Sequence, residues 1–212
     1  MLHYDFWQNE GGFNSIEESI EEIGKNPLLL EEMDEVISVL FDNVSAMEKE
    51  IELPYEQPLR LHARYTRDQI LSAFGLSTFH KKSSNREGTA ENKKLKTELL
   101  FIDLLKSEED FSPTTMYNDF AINESKFHWE TQNSARPDKG KGLSYIQHKE
   151  EGKIILLFIR EQKRNEFKNT TGYVFIGRAN YESHYGSQPM SVNWNLEEPI
   201  PPFIWSTSAK LA

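Results

Sequence analysis

Three apolar patterns divide the chain. From Leu29 an apolar residue recurs every three or four positions, through Met33, Val36, Leu40, Val44 and Met47. That spacing sets one stripe along a helix from about position 27 to 50. Ahead of it, Ser15 followed by Glu18 forms a capping-box signature, and Gly24 with Pro27 supplies a stop, so an earlier helix is expected. The stripe requires a partner surface, either this chain's own body or a preceding domain. Pro54 and Pro58 break the helical pattern and mark a boundary between a helical arm, residues 1–57, and a body, residues 58–212. The body opens on a short helix: Thr66 with Gln69 repeats the capping box, Ile70, Leu71 and Phe74 form the buried face, and Gly75 stands where a C-terminal cap belongs. From Leu99 the pattern turns to strands, at 99–105, 127–131, 154–160, 173–177 and 190–194, and predicts an antiparallel β-rich body. The polar stretches 80–94, 133–142 and 161–171 are long for connections, which on a β scaffold marks them as candidate functional loops.

Composition narrows the chemistry. The longest apolar run, 154–159, is far short of the roughly 20 residues a membrane helix needs, and no basic, apolar, small-residue leader pattern opens the chain. A soluble, cytoplasmic protein without a membrane partner is expected. With no cysteine, disulfides, thiolate nucleophiles and zinc ribbons are excluded. The formal charge of −10 argues against nucleic acid until it is partitioned. Residues 1–57 carry 15 Asp and Glu against two Lys and no Arg, a balance of −13, so the body carries +3 and holds five of the six histidines. A mildly basic body on an acidic arm is compatible with DNA. Its cations concentrate in the polar loops: Lys81, Lys82, Arg86, Arg136, Lys139, Lys141, Arg164 and Lys168 are the candidate DNA-backbone contacts, with Lys163 among them.

Catalytic motifs are thin. His128-Trp129-Glu130 matches the H-x-E of zinc deaminases but lacks the paired cysteines those enzymes need. No G-x-S-x-G pentapeptide is present. Pro137-Asp138 followed by Glu161-Gln162-Lys163 has the outline of a PD-(D/E)xK nuclease, in which two carboxylates hold Mg2+ against a scissile phosphate and the lysine stabilises developing charge. That alternative stays open, as does a protein-docking module acting through the arm. The segment 111–133 differs in kind, because it interleaves aromatics with directional polar groups. A flipped base needs ring faces above and below and a hydrogen-bonding group on its Watson–Crick edge. Tyr117, Asp119, Phe120, Trp129 and Thr131 are the candidate base pocket, Tyr117 and Trp129 as stacking walls and Asp119 as acceptor for a cytosine N4 amine. On the plainer reading, Phe127 and Trp129 share one strand face and point into the core.

Five stretches carry a resemblance: PLRLHARYTRDQIL from Pro58, KSEEDFSPTTMYND from Lys106, FHWETQN from Phe127, ILLFIRE from Ile155 and GSQPM from Gly186. In this order they resemble a family of unknown-function domains found C-terminal to superfamily-two helicases, often with a phospholipase-D-type nuclease upstream, and the resemblance spans about residues 58–212. It implies a role in type IV, modification-dependent restriction, with this part similar to a SET-and-RING-associated (SRA-like) reader of 5-methylcytosine in double-stranded DNA. The implied fold is α+β: an N-terminal helical arm, then a curved antiparallel β-barrel-like domain of SRA/PUA-like type with flanking helices. The arm then resembles the connector to a helicase. Catalysis is expected in helicase and nuclease domains of a parent chain, and neither cofactor nor metal is expected here.

Overall fold

Both helix starts legible in the sequence are built. In this computed structural model, which describes residues 2–7, 12–42, 49–105 and 118–208, the Ser15 hydroxyl accepts from the Glu18 amide at the head of α2 (Ile16–Gly24). Thr66 forms a complete capping box with Gln69 at the head of α4 (Arg67–Ala73). Gly75, at φ +65°, follows α4 in the left-handed region where a side chain would be strained. The arm also holds α1 (Leu2–Trp7) and α3 (Pro27–Asp42). The Tyr4 hydroxyl of α1 donates to the Thr78 carbonyl, so the chain's start rests on the body near α4. In α3, which packs against α2, Leu29 and Met33 of the predicted stripe are half-buried while Val36 and Leu40 stand exposed; Val44 and Met47 lie outside the described residues. Further on, Ile51, Leu53 and Tyr55 already pack on the body, the Tyr55 hydroxyl lying 2.6 Å from Thr97 Oγ1.

The body is built on β1 (Arg64–Tyr65), β2 (Thr89–Asn92), β3 (Thr97–Leu105), β4 (Phe120–Asn123), β5 (Lys126–Glu130), β6 (Ile154–Gln162), β7 (Tyr173–Gly186) and β8 (Met190–Leu196). These form one eight-stranded sheet in the order β2-β3-β6-β7-β8-β5-β4, with β1 paired to the start of β7. Every pairing is antiparallel except β3 with β6, which is parallel and corrects the purely antiparallel expectation. The reason lies in the two sequences. Neither alternates apolar with polar, because both faces are covered, the usual setting of parallel neighbours. Leu100, Ile102, Ile155 and Leu157 enter one core; Leu99, Phe101, Leu156 and Phe158 enter a second, on the other face, roofed by α4. The crossover from β3 to β6 runs through β4, β5 and α5 (Gly140–Ile146).

Curvature comes from β7, whose fourteen residues pair first with β6 and then with β8. Register shifts interrupt both ladders, and such bulges bend a strand and increase its twist. At the first, Gly177 takes φ +99° and a Cβ there would lie 2.7 Å from Leu61 Cδ1, so only glycine fits. The sheet curls around the larger core, which α5 and α6 (Pro202–Ser208) complete through Tyr145 and Ile204. Across the gap between the two ends of the sheet, Gln132, just past β5, reaches Glu87 and Thr89 at the β2 edge. The result is a mixed α+β domain whose sheet is curled but not closed into a barrel. No helix among the described residues is long and apolar enough to cross a membrane.

Candidate nucleic-acid interface

The seam where the sheet fails to close gathers polar groups. Asp119, immediately before β4, accepts from the Glu130 amide on Oδ1 at 2.9 Å, and the Glu130 carboxylate accepts from the Asn118 amide at 3.1 Å. This exchange pins the entry to β4 against the end of β5. One residue on, Thr131 Oγ1 accepts from the Met190 amide at 2.9 Å and donates to the Gln132 carbonyl. Gln132 Nε2 then crosses the seam to Glu87 Oε2 at 3.1 Å. Asp119, Glu130 and Glu87 thus each hold a local donor at this end of the sheet, Asp119 the Glu130 amide, Glu130 the Asn118 amide and Glu87 the Gln132 side chain. Beneath them a cluster ties α5 to the sheet. Glu98, fully buried on β3, accepts from Lys141 (2.9 Å), Lys153 (3.0 Å) and the Tyr145 hydroxyl (3.2 Å). Burial pushes the Glu98 carboxyl upward, but the two ammonium groups outweigh it and hold it below the ordinary glutamate value. Burial, reinforced by the Glu98 charge, raises the Tyr145 phenol well above its usual range.

The predicted pocket residues do not all converge. Tyr117 lies outside the described residues. Trp129 is 5% exposed, in edge contact with Tyr145 at 5.3 Å and tilted against Trp194 at 6.3 Å, so it presents no open ring face. Thr131 is sealed by its two hydrogen bonds. Phe120 points away from both: Ala121, next in β4, enters the core, so Phe120 turns outward and stacks on His128 at 4.7 Å. Phe120 and Trp129 therefore lie on opposite faces of the sheet and cannot wall a single cavity. Phe127 and Trp129 do point together into the core, as the plainer reading of the strand has it. Asp119 is buried, its carboxylate fixed at the seam.

The outward rings make a row absent from the sequence-based expectation. His128 stacks between Phe120 and Tyr185, 5.8 Å away, with its Nδ1 2.9 Å from Asn193 Oδ1. Tyr185 is 60% exposed. Pairing of β5 and β7 through β8 creates this row, and no local spacing announces it.

The predicted backbone contacts divide in two. Lys82 pairs with Asp68 (2.7 Å), Arg136 with Asp138 (2.9 Å) and Lys141 with Glu98, so these three cations answer carboxylates of this chain. Lys81, Arg86, Lys139, Arg164 and Lys168 project from exposed loops.

The nuclease outline does not assemble. Asp138 gives both oxygens to Arg136 at 2.9 Å, which holds its carboxyl below the ordinary aspartate value. Glu161 gives both of its oxygens to Arg64. Among the described residues no three His, Asp or Glu side chains gather closely enough to hold a metal.

The class defined by this fold is a curled, open mixed-sheet domain cored on both faces, with a polar seam and cationic loops. Residues 59–207 match the family model described as "Domain of unknown function (DUF3427)", and the chain belongs to that family. No curated protein matches the sequence. Among solved structures, the chain is similar to Arabidopsis thaliana SUVH6 crystallised with SAM, at 12% identity and a TM-score of 0.39, over 84% of this chain and 34% of that one. It thus spans about a third of that protein's length. It is also similar to the DNA recognition domain of the cytosine modification-dependent restriction endonuclease LpnPI, at 12% identity and a TM-score of 0.37, over 80% of this chain and 88% of that one.

Proposed function

We propose that this domain reads a modified cytosine, 5-methylcytosine in the first instance, in double-stranded DNA, and serves as the non-catalytic recognition part of a restriction helicase-nuclease. The observation that carries this reading is Asp119: a carboxylate buried at the entry to the edge strand β4 and fixed there by the Glu130 amide, beside the gap between the two ends of a curved sheet. A base turned out of the duplex into the seam meets acceptors matched to the N4 amine of cytosine, a group that thymine lacks. The resemblance over residues 58–212 supports the same reading. Tyr117 is the proposed ring contact, whereas Trp129 and Thr131 act from beneath by fixing the end of β5, and Phe120 stays in the outward row with His128. Flipping a base costs a few kcal/mol and stacking returns about 1 to 3, so the cationic loops must supply the remaining affinity from phosphates.

The test is equilibrium binding by fluorescence anisotropy to duplexes that differ only in one central cytosine: unmodified, 5-methyl or 5-hydroxymethyl. The intact domain is expected to prefer a modified duplex. Asp119→Ala should lose about 10-fold or more on that duplex, the scale of one charge-assisted hydrogen bond, and little on the unmodified one. Asp119→Asn retains an acceptor for the Glu130 amide and so separates local folding from recognition. Equal loss on both duplexes would remove Asp119 from the pocket.

A further inference from the structure

The β6–β7 hairpin carries an aromatic residue that no core claims. Phe167 is 73% exposed, the most exposed large apolar side chain among the described residues of the body. Lone apolar residues on a surface are ordinary and need no explanation; this one is singled out by how it is mounted. Asn165 Oδ1 accepts from the amides of Phe167 (3.0 Å) and Asn169 (2.9 Å), and the Lys168 amide donates back to the Asn165 carbonyl. Arg164 and Thr170 form a bridge below, and Lys163 and Thr171 close the next rung. Lys168, at φ +63°, completes the turn at the tip.

The base of the hairpin is clamped as well. Arg160, buried and paired with Asp103, donates to the Thr171 carbonyl at 3.1 Å, and its guanidinium lies 4.2 Å from the Tyr173 ring centre. Arg64, paired with Glu161, donates to the Gly172 carbonyl at 3.4 Å. A rigid stalk thus holds a ring out in solvent, with Lys163, Arg164 and Lys168 within four residues of it and Glu166 the one acid among them. Three cations around a protruding ring match a polyanion whose interior is made of stacked rings.

We infer that Phe167 is a wedge that enters a base-pair step of duplex DNA while Arg164 and Lys168 engage the flanking phosphates. Proteins that kink DNA insert apolar side chains in this way and partly unstack the step. The pre-formed stalk suits that task, because the ring needs no ordering on contact. This inference rests on the proposed duplex-reading function, but it concerns grip and distortion of DNA rather than discrimination of the base.

The experiment uses the full chain and duplexes that carry 2-aminopurine at successive positions, whose fluorescence rises when the base unstacks. The intact protein should brighten the probe at the wedged step on modified and unmodified duplexes alike, apart from any brightening beside the modified base itself. Phe167→Ala and Phe167→Ser should abolish that signal and weaken both duplexes by about tenfold, leaving the modified-to-unmodified ratio and the melting temperature unchanged. Lys168→Ala should instead lower the salt slope by about one unit. Unchanged affinity and brightness in both Phe167 variants overturns the wedge. So does loss of binding to anionic phosphatidylserine vesicles without loss on DNA, which reassigns the ring to a lipid surface. Brightening by a protein that does not discriminate between duplexes overturns only the modified-base reading, and no binding to any duplex at low salt overturns both.

Discussion

Glu98→Gln isolates the contact that fastens α5, and with it Lys141, beneath the seam. The carboxylate is fully buried and faces two ammonium groups. Lys153 is nearly sealed, its side chain 9% exposed, and answers Glu91 at 2.9 Å as well; the Lys141 side chain is 41% exposed and keeps much of its hydration. Removing one partner of a buried ion pair costs about 3 to 5 kcal/mol because the charge left behind is uncompensated. The exposure of Lys141 and the second partner of Lys153 discount this to about 2 to 4 kcal/mol, a large part of the roughly 5 to 15 kcal/mol that holds a domain folded. Urea unfolding followed by fluorescence measures it, since Trp129 and Trp194 lie in the adjoining core. The pH dependence has a definite sign. A carboxyl held below its unfolded value stabilises the fold above that value and ceases to do so as pH falls through the folded one. The gap between wild type and variant is therefore constant from pH 7 to about 5 and narrows below the ordinary glutamate value of 4.5. Replacing Glu98, Lys141 and Lys153 together by Met should cost less than Glu98→Gln alone, because no fully buried charge is then left unpaired; Glu91, which loses Lys153, is 24% exposed and keeps part of its hydration. A single-variant loss under about 1 kcal/mol, or a triple variant weaker than the single, refutes the reasoning.

Two further outcomes follow from packing and protonation. A Cβ on Gly142 would lie 2.1 Å from the Arg136 carbonyl oxygen and 2.5 Å from Met190 Sδ, so Gly142→Ala must displace the start of α5. Overpacking of this kind costs about 1 to 3 kcal/mol, which at about 2 to 4 °C per kcal/mol for a chain of this size calorimetry should record as a melting point lower by about 2 to 12 °C; an unchanged melting point means the helix shifts freely. His148 is held neutral: burial lowers its pKa, its Nδ1 lies 3.0 Å from the Lys153 carbonyl, and its Nε2 accepts from the Tyr181 amide. The unfolded chain takes up the proton first, so stability should be flat above pH 7 and decline as pH falls below the ordinary histidine value of 6.5. His148→Gln should remove that share of the decline, and identical pH profiles for the two proteins dispose of the assignment.

What the sequence made legible follows from how locally each feature is specified. Capping at Ser15 and Thr66 depends on residues three apart, and both caps are present. Each strand expected from apolar content appears, because burial on both faces leaves an apolar run that no register can disguise. Of the elements not foreseen, β4 (FAIN), α1 (LHYDFW) and α6 (PFIWSTS) are short apolar pieces, whereas β2 and α5 lie in or overlap polar stretches and are structured by distant partners. Strand β2 falls in the polar stretch 80–94 and is ordered by pairing with β3; α5 begins at the end of the stretch 133–142 and is tied down by Glu98, some forty residues earlier. The parallel pairing of β3 with β6 was encoded in their missing alternation. The site was less legible than the fold because roles depend on facing. Phe120 and Trp129 are near in sequence but separated by the sheet, and Lys141, basic by composition, turns inward to a buried acid. Phe167 could have been found as the lone large apolar residue in an otherwise polar loop.

Facing also sets the electrostatics of binding. Of the eight cations assigned to the DNA backbone, Lys82, Arg136 and Lys141 answer carboxylates of this chain, whereas Lys81, Arg86, Lys139, Arg164 and Lys168 stand exposed on the loops and are the five proposed to meet phosphates. Each phosphate neutralised on duplex DNA contributes about 0.9 to the slope of log affinity against log salt, so five contacts give a slope near −4.5 and eight give about −7. Between 50 and 200 mM salt the first corresponds to a loss of about 500-fold and the second to about 20,000-fold, a difference that a salt titration of the unmodified duplex resolves easily. Joint replacement of Lys82, Arg136 and Lys141 by Ala should leave the slope near −4.5, whereas replacing Arg86 and Lys168 should bring it to about −2.7. A wild-type slope near −7 means that the internal partners are surrendered on binding and the seam opens around DNA; one shallower than about −2 means that these loops do not touch the backbone, and the cationic half of the reading falls with it.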